Sequence, residues 1–369
     1  MQSKKLLTPL TLGPYELRNR ILMAPLTRTR AGDRNVPHEM NVTYYRQRAS
    51  AGLIITEAAP VSPFGHGYAH TPGIHTEEQR DGWKSITAAV HEEGGLIFQQ
   101  LWHVGRISHQ NLQPGGVLPV GPSAIQPTGY SLTAEGPKPH PRPRTLSTWE
   151  IPGIIEEFRR GAQLSMEAGF DGVEVHGANG YLPDQFLNSG SNHRSDEWGG
   201  SLGNRARFLL AVTDAAVSVW GANRVGVRLS PANRYGDIDD ANRWETYRYA
   251  VQELNKRGLA YIHLVTPRVN GNNDVVPELD LGPEKFRSLI TGETRLIAAG
   301  GYKPAEAEAV LERGDADAIA FGRLFIANPD LPKRIELDAP LNAHDRATFY
   351  ARGAEGYIDY PALSQAGSV

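Results

Sequence analysis

Short apolar runs rich in β-branched residues alternate along this chain with longer segments whose apolar positions recur at the helical period. This alternation is typical of strand–helix units around a parallel sheet, and weak polar alternation inside the runs predicts strands buried on both faces. Eight runs predict strands, at residues 20–25, 52–57, 95–101, 172–176, 224–230, 261–266, 295–300 and 318–322. Eight such units predict an α/β fold, the TIM (β/α)8 barrel.

The segments between these runs predict helices at residues 37–49, 77–92, 148–168, 204–220, 240–257, 283–290 and 304–312. Two segments lie outside the alternating plan. Residues 6–18 predict a small N-terminal hairpin that acts as a lid on the bottom of the barrel. Residues 103–146 form a long insertion after the third strand, which we expect to shape or cover the substrate mouth, a disordered surface loop being the alternative. We expect residues 1–369 to form a single domain.

Composition narrows the classes of function. The chain of 369 residues is 40% hydrophobic and 21% charged, and its formal charge of −3 gives no reason to expect a nucleic acid or membrane partner. The absence of a signal-like start or a membrane span makes the cytoplasm the expected location. The chain has no cysteine, which excludes disulfides, thiolate-held iron–sulfur clusters and cysteine nucleophiles. Any electron transfer must therefore use a bound organic cofactor.

The most informative motif is His176-Gly-Ala-Asn179-Gly-Tyr181, which directly follows the predicted strand at residues 172–176. Polar side chains at the carboxyl end of a barrel strand point into the pocket where barrel enzymes place their chemistry. A histidine near a strand end is also a common structural hydrogen-bonding residue, which is the competing interpretation. The motif predicts an enzyme with hydrogen-bond donors in its pocket.

Five motifs, in order along the barrel, resemble those of the old yellow enzyme family of flavin-dependent ene-reductases. They are residues 23–28 (MAPLTR), 100–103 (QLWH), 176–181 (HGANGY), 188–207 with the core RSDEWGGS, and 320–323 (AFGR). The resemblance implies a TIM barrel that binds FMN. One branch of the family has a cysteine where this chain has Thr27, so the chain resembles the classical branch. The lack of any cysteine also argues against the larger relatives that carry an iron–sulfur cluster.

The loops after the seventh and eighth predicted strands suit a phosphate, which barrels often bind there. Gly300 and Gly301 follow one strand, and Gly322 and Arg323 follow the other. Glycines allow backbone N–H groups to approach the phosphate, and the guanidinium adds positive charge. The competing interpretation is that these glycines only make tight turns.

Arg228 interrupts an apolar strand, where an unpaired charge would be costly to bury. A reduced flavin carries negative charge near N1 and the C2 carbonyl, so Arg228 is our candidate to face it; a structural ion pair is the alternative. Gln100 and the backbone at Ala58 are candidates for the pyrimidine edge of the flavin. The resemblance further implies that Thr27 lies near the flavin C4 oxygen, and it implies ring contacts from Pro25, Leu26 and Phe349.

For the substrate, the resemblance implies that His176 and Asn179 bind the carbonyl or nitro oxygen of an activated alkene. Tyr181 is the candidate proton donor to the α-carbon, because a phenol stays protonated at neutral pH. A tyrosine with a packing role is the competing interpretation. We expect three aromatic side chains to form the pocket walls: Tyr68, Trp102 and Tyr350.

The implied reaction is a ping-pong cycle in which NADPH reduces FMN and leaves, and an α,β-unsaturated ketone, aldehyde, imide or nitroalkene then enters the same cavity. No G-x-G-x-x-G motif follows the first strand, so we expect no separate nicotinamide-binding module. Two alternatives are a metal-dependent barrel hydrolase, which lacks the expected histidine spacing, and a flavin-binding carrier or sensor without turnover. No heptad seam or long unpaired strand indicates an oligomer, and we expect a monomer.

Overall fold

In the computed structural model, which describes residues 4–271 and 273–363, eight parallel strands close into a barrel. The strands, β1 to β8, are Ile21–Met23, Leu53–Ile55, Ile97–Trp102, Gly172–His176, Val225–Leu229, Tyr261–Val265, Arg295–Ala299 and Ala318–Phe321. The ring is closed because β4 pairs with β3 as well as β5, and β8 pairs with β1. The predicted TIM barrel is confirmed.

The helices of the described residues, α1 to α10, are Glu39–Arg46, Glu77–Glu92, Ile151–Glu167, Leu182–Leu187, Leu202–Trp220, Arg243–Asn255, Pro283–Phe286, Pro304–Arg313, Arg323–Ala327 and Leu331–Glu336. The helix predicted at residues 283–290 is one α-helical turn followed by a 3-10 turn, Arg287–Leu289. Three short helices, α4, α9 and α10, were not predicted, because five or six residues are too few to show a period. None of the helices in the described ranges is long and apolar enough to cross a membrane.

The predicted hairpin covers the amino-terminal end of the barrel. Its strands Leu10–Leu12 and Tyr15–Leu17 pair antiparallel, and Gly13 adopts a φ of +55° at the turn between them. A Cβ at Gly13 would lie 1.9 Å from the carbonyl oxygen of Asn223, so only glycine fits this turn. The hairpin leucines pack onto the apolar lower part of the barrel interior.

The insertion at residues 103–146 is built from small β-elements. Tyr130–Thr133 and Gly136–Pro139 form an antiparallel hairpin, and Val120–Gly121 pairs with Arg144–Thr145. Leu132 in this hairpin makes a bridge with Tyr68, which belongs to the loop after β2. The insertion therefore shapes the mouth of the barrel, as predicted, and is not a structureless loop.

The interior of the barrel changes from apolar to polar along its axis. Near the amino-terminal end, the interior is filled by Leu22, Leu53, Ile55, Phe98 and Ile297. Toward the carboxyl ends of the strands, four polar side chains follow: Gln100, Glu174, Arg228 and His263. Polar groups in a barrel interior need a function or partners, and this end of the barrel carries the candidate site.

Candidate active site

A cavity of about 390 Å³ opens at the carboxyl end of the barrel. Every predicted site residue except Trp102 lines it. The lining residues predicted from the sequence are Pro25, Leu26, Thr27, Ala58, Tyr68, Gln100, His176, Asn179, Tyr181, Arg228, Gly300, Gly301, Gly322, Arg323, Phe349 and Tyr350. Residues far apart in sequence thus meet at one place.

Trp102 lies behind the cavity wall and does not line it. Its side chain is fully buried, stacked on Tyr68 with ring centroids 5.7 Å apart and in edge contact with Tyr181 at 4.9 Å. The rings of Tyr68 and Tyr181 cover its indole, and its role as part of the wall of the substrate pocket stays a prediction. Trp102 instead fixes the position of both phenols from behind.

The imidazole of His176 is neutral, and its free N–H is on Nε2. Burial lowers the pKa of His176 well below its usual value, and the guanidinium of Arg228 lowers it further. The backbone N–H of Ala178 donates to Nδ1 across 3.3 Å, which assigns Nδ1 as the acceptor nitrogen of the ring. The Nε2–H group is therefore left to donate to a partner in the cavity.

Asn179 is oriented so that its amide nitrogen is also free to donate. Its backbone is left-handed, with a φ of +55°, and its N–H donates to Ser230 Oγ at 2.8 Å. The side-chain amide of Asn233 donates to Asn179 Oδ1 at 3.2 Å. Because the oxygen is occupied, the Nδ2 group remains available. His176 and Asn179 thus give the cavity two neutral hydrogen-bond donors.

Three phenols form a hydrogen-bonded chain at the cavity. The hydroxyl oxygens of Tyr68 and Tyr181 lie 3.2 Å apart, and those of Tyr68 and Tyr235 lie 2.8 Å apart. Burial raises the pKa of Tyr181 and of Tyr68 well above the usual value, while the hydrogen bond from Tyr68 opposes this shift at Tyr181. Tyr181 is therefore protonated at neutral pH and can act as a proton donor.

The glycine-lined end of the cavity has backbone conformations that favour glycine. Gly300 and Gly301 have φ angles of +113° and +73°, and a Cβ at Gly300 would lie 2.5 Å from Thr266 Oγ1. We expect Arg323 to bind a phosphate, and in the structure it pairs with the carboxylate of Asp274, which Arg323 Nη1 contacts at 2.6 Å. Asp274 lies in the loop after β6, outside the five motifs of the sequence.

Arg228 and Gln100 present unsatisfied polar atoms at this cavity. The Nε of Arg228 is buried without a hydrogen-bond partner among the described residues, and the charge of Glu174 acts on the guanidinium without a direct ion pair. The Nε2 of Gln100 donates to Glu174 Oε1 at 2.6 Å, which leaves Gln100 Oε1 to accept. A guanidinium with an unpaired Nε, a free amide oxygen and a glycine-lined end fit the pyrimidine edge and phosphate of FMN.

Two buried arginines fix the segment that carries Phe349 and Tyr350. Arg28 and Arg30 are almost fully buried and donate six hydrogen bonds to backbone carbonyls of residues 348–356. These bonds tie the C-terminal segment to the loop after β1, which supplies Pro25, Leu26 and Thr27 to the cavity. The two arginines therefore position Phe349 and Tyr350 at the cavity and do not themselves line it.

Glu57 joins the end of β2 to the same loop. Its side chain is fully buried, Oε2 accepts the backbone N–H of Arg28 at 3.1 Å, and Oε1 has no partner among the described residues. Burial raises the pKa of Glu57 from 4.5 to about 7, although the backbone N–H and the charge of Arg28 oppose the shift. Folding therefore favours the protonated carboxyl.

Glu57→Gln is expected to remove part of the pH dependence of stability. Because the pKa of Glu57 is about 7 in the folded protein and 4.5 in the unfolded chain, the protonated carboxyl stabilises the fold fully below pH 4.5. This contribution is lost as the pH rises through 7, by about 3 kcal/mol in total. Glutamine mimics the protonated carboxyl and does not ionise. The free energy of unfolding of the variant should therefore rise relative to that of the wild type between pH 5 and 8. Urea unfolding of both holoproteins across this range measures the difference. A difference that stays constant with pH would contradict the raised pKa.

Several cavity residues were missed because they lie in loops without a motif. They are Tyr130 and Leu132 in the insertion, Tyr235 after β5, and Val269 and Gly271 after β6. The loops that follow barrel strands build the active sites of this fold, and that rule alone could have indicated the loops after β5 and β6. The side chains that reach the cavity depend on loop conformation, which a single sequence does not reveal.

Comparisons with known proteins give the family. The model of the NADH:flavin oxidoreductase / NADH oxidase family matches residues 5–342. The 12-oxophytodienoate reductase 1 of Oryza sativa subsp. japonica is 47% identical over 368 residues, which cover 98% of this chain and 93% of that protein. The 12-oxophytodienoate reductase 2 of Arabidopsis thaliana is 44% identical over 367 residues, with 98% and 96% coverage.

Solved structures agree with the same assignment. Morphinone reductase superposes with a TM-score of 0.92 at 48% identity, covering 99% of this chain and 98% of that one. The same enzyme in complex with tetrahydroNAD gives 0.90 at 48% identity, with 99% coverage of both chains. An old yellow enzyme homologue from Zymomonas mobilis gives 0.93 at 41% identity, with 97% and 99% coverage.

The matches span nearly the whole chain, well beyond the five motifs. They support a flavin and a nicotinamide nucleotide as cofactors, and FMN-dependent reduction of activated carbon–carbon double bonds as the reaction class. They give no support to a flavin carrier without turnover or to a metal-dependent hydrolase. The chain belongs to the NADH:flavin oxidoreductase family and, within it, to the old yellow enzymes.

Proposed function

We propose that this enzyme reduces α,β-unsaturated ketones, aldehydes, imides and nitroalkenes, with His176 and Asn179 binding the activating oxygen and Tyr181 protonating the α-carbon. One observation carries this assignment: two neutral hydrogen-bond donors and a protonated phenol line one cavity. This is the set of groups that an alkene needs when hydride is added to its β-carbon.

The two donors stabilise the charge that develops in the reaction. Addition of hydride to the β-carbon builds negative charge on the carbonyl or nitro oxygen, and preorganised donors aimed at that oxygen lower the barrier. The Nε2–H of His176 and the Nδ2 of Asn179 are held by contacts on their other ring or amide atoms. Bound FMN supplies the hydride.

Tyr181 completes the reduction by giving its proton to the α-carbon. The neighbouring hydroxyl of Tyr68, 3.2 Å away, can donate a hydrogen bond to the resulting phenolate. That hydrogen bond favours the ionised form of Tyr181 and so assists the transfer. Trp102 holds both rings in place by packing behind them.

For FMN we propose the contacts inferred from the sequence. The phosphate would lie at Gly300, Gly301, Gly322 and Arg323, and the ring contacts would come from Pro25, Leu26, Thr27, Ala58, Gln100, Arg228 and Phe349. For the hydride donor we propose NADPH. The complex of morphinone reductase with tetrahydroNAD supports a nicotinamide nucleotide and leaves NADH as the competing donor.

Spectra of the purified holoprotein test the proposed ene-reductase activity. The purified holoprotein is expected to show a flavin band that NADPH bleaches without oxygen and that 2-cyclohexen-1-one restores. Parallel rapid-mixing runs with NADPH and NADH determine which nucleotide reduces the flavin faster. Absence of a flavin band would refute FMN binding, and a bleached band that no activated alkene restores would refute the reductase.

Asp274→Asn is expected to tighten FMN binding by roughly two- to fivefold. Asp274 is an exposed carboxylate that occupies Arg323 and would repel a phosphate at the same place, and an exposed ion pair has a modest effect. Titration of apoprotein with FMN, followed by flavin fluorescence, measures the affinity. Weaker binding would mean that the carboxylate serves to orient Arg323.

A monomeric state, a cytoplasmic location and a single domain of residues 1–369 stay predictions from the sequence. Sedimentation equilibrium of the holoprotein tests the first directly.

A further inference from the structure

A buried carboxylate, Glu174, lies beneath the candidate flavin site. It stands in the middle of β4, its side chain is fully buried, and it does not line the cavity. In register it lies opposite Gln100 on β3 and Gly226 on β5. A Cβ at Gly226 would lie 2.2 Å from the ring of Tyr261, so β5 has no room for a side chain at this level.

Both oxygens of Glu174 accept hydrogen bonds from neutral donors. Gln100 Nε2 donates to Oε1 at 2.6 Å, and His263 Nδ1 lies 2.8 Å from Oε2, to which it donates in the Nδ1–H tautomer that we assign to this ring. Burial lowers the pKa of His263, and its Nε2 has no partner among the described residues. We assign the Nδ1–H tautomer to His263 because the nearby guanidinium of Arg228 favours a carboxylate over a carboxylic acid, and Glu174 then accepts at both oxygens. The donors leave its negative charge uncompensated.

Arg228 is the cation that balances this charge. It stands one strand away on β5, opposite His176 and His263, and its Nε is buried without a partner among the described residues. Burial lowers the pKa of Arg228, and the charge of Glu174 opposes that shift. The two ions therefore interact through a barrel interior of low dielectric without forming a direct pair.

We propose that Glu174 is a positioning residue for the flavin site: it orients Gln100 so that Oε1 faces the cavity, and it offsets the charge of Arg228. This inference rests on the proposed function, in which Gln100 and Arg228 contact FMN. An uncompensated Arg228 would favour the negatively charged reduced flavin. Glu174 limits that preference, so the flavin retains its tendency to pass hydride to the alkene.

The buried charge itself argues against a role in packing alone. The level below Glu174 in the barrel is filled by leucine, isoleucine and phenylalanine side chains. Similar side chains would fill this level without the desolvation penalty of a buried carboxylate. The carboxylate instead contacts a cavity-lining amide and lies close enough to influence a cavity-lining guanidinium.

Glu174→Gln tests the charge. A glutamine can still accept from Gln100 and can donate to His263, whose proton then moves to Nε2, so the variant removes the charge and keeps the contacts. Reduced FMN is expected to gain about tenfold in affinity relative to oxidised FMN. Spectroelectrochemistry would show this as a rise of about 30 mV in the two-electron midpoint potential. Glu174→Asp, which keeps the charge, should stay near the wild-type potential.

The matched control is Glu157→Gln. Glu157 is a half-buried carboxyl on α3 that accepts from Ser62 Oγ at 2.8 Å and does not line the cavity. Its removal should leave the potential unchanged. An unchanged or lowered potential in Glu174→Gln would overturn the charge-balancing role, as would an equal rise in Glu157→Gln.

A second measurement tests the orientation of Gln100. Glu174→Met should weaken binding of oxidised FMN to the apoprotein about tenfold when Gln100 is present, and should have no further effect in Gln100→Met. Equal losses in both backgrounds would show that Glu174 does not act through Gln100. A wild-type protein that binds no FMN would refute the proposed function. If the wild type binds FMN and reduces alkenes, and the Glu174 variants keep the wild-type midpoint potential and FMN affinity, only this inference is refuted.

Discussion

Tyr181→Phe is expected to slow alkene reduction by about 10²- to 10⁴-fold and to leave reduction of the flavin nearly unchanged. The variant loses the hydroxyl that supplies the proton and keeps the ring that packs against Trp102 and His176. Reduction of the flavin needs no proton from this phenol. The effect is therefore confined to one half-reaction.

Rapid-mixing absorbance measures the two half-reactions of Tyr181→Phe separately. Tyr68→Phe is the matched control, because it removes the neighbouring hydroxyl and leaves the proposed donor in place. It should slow alkene reduction by a smaller factor, since it removes only the hydrogen bond that favours ionisation of Tyr181. Equal slowing of both half-reactions in Tyr181→Phe would contradict the proton-donor role.

The barrel and the cavity residues at strand ends follow from local sequence signals. Apolar runs mark buried strands, and a polar residue that interrupts such a run must point at a partner or a ligand. That rule identified Arg228. Applied with the same strictness, it would also have identified Glu174 within β4 and His263 within β6. The polar residues of the barrel interior could thus be predicted from the sequence.

Other features depend on contacts between segments far apart in sequence. The pairing of Arg323 with Asp274 brings together the end of β8 and the loop after β6. Trp102 is covered by Tyr68 and Tyr181, which come from the loops after β2 and β4. A single sequence gives no register for such loops, so the depth of a side chain and its ion-pair partner could not be predicted.

His176→Ala is expected to lower the rate of alkene reduction by roughly 10²- to 10³-fold and to weaken binding of phenol-type ligands. The variant removes one of the two donors, and Asn179 alone would then face the charge on the substrate oxygen. Asn233→Ala is an informative companion, because it frees Asn179 Oδ1 and allows that amide to turn. Its effect should be smaller, since both donors remain present.

The pH dependence distinguishes a neutral from a cationic His176. Burial and Arg228 hold the pKa of His176 well below its usual value, so the imidazole is neutral from mildly acidic to alkaline pH. Ligand affinity in the wild type should therefore show no inflection from His176 between pH 6 and 8. Such an inflection, present in the wild type and absent in His176→Ala, would mean that the histidine acts as a cation. Unchanged ligand affinity in His176→Ala would remove it from the oxygen-binding site, and Asn179 would be left as the principal donor.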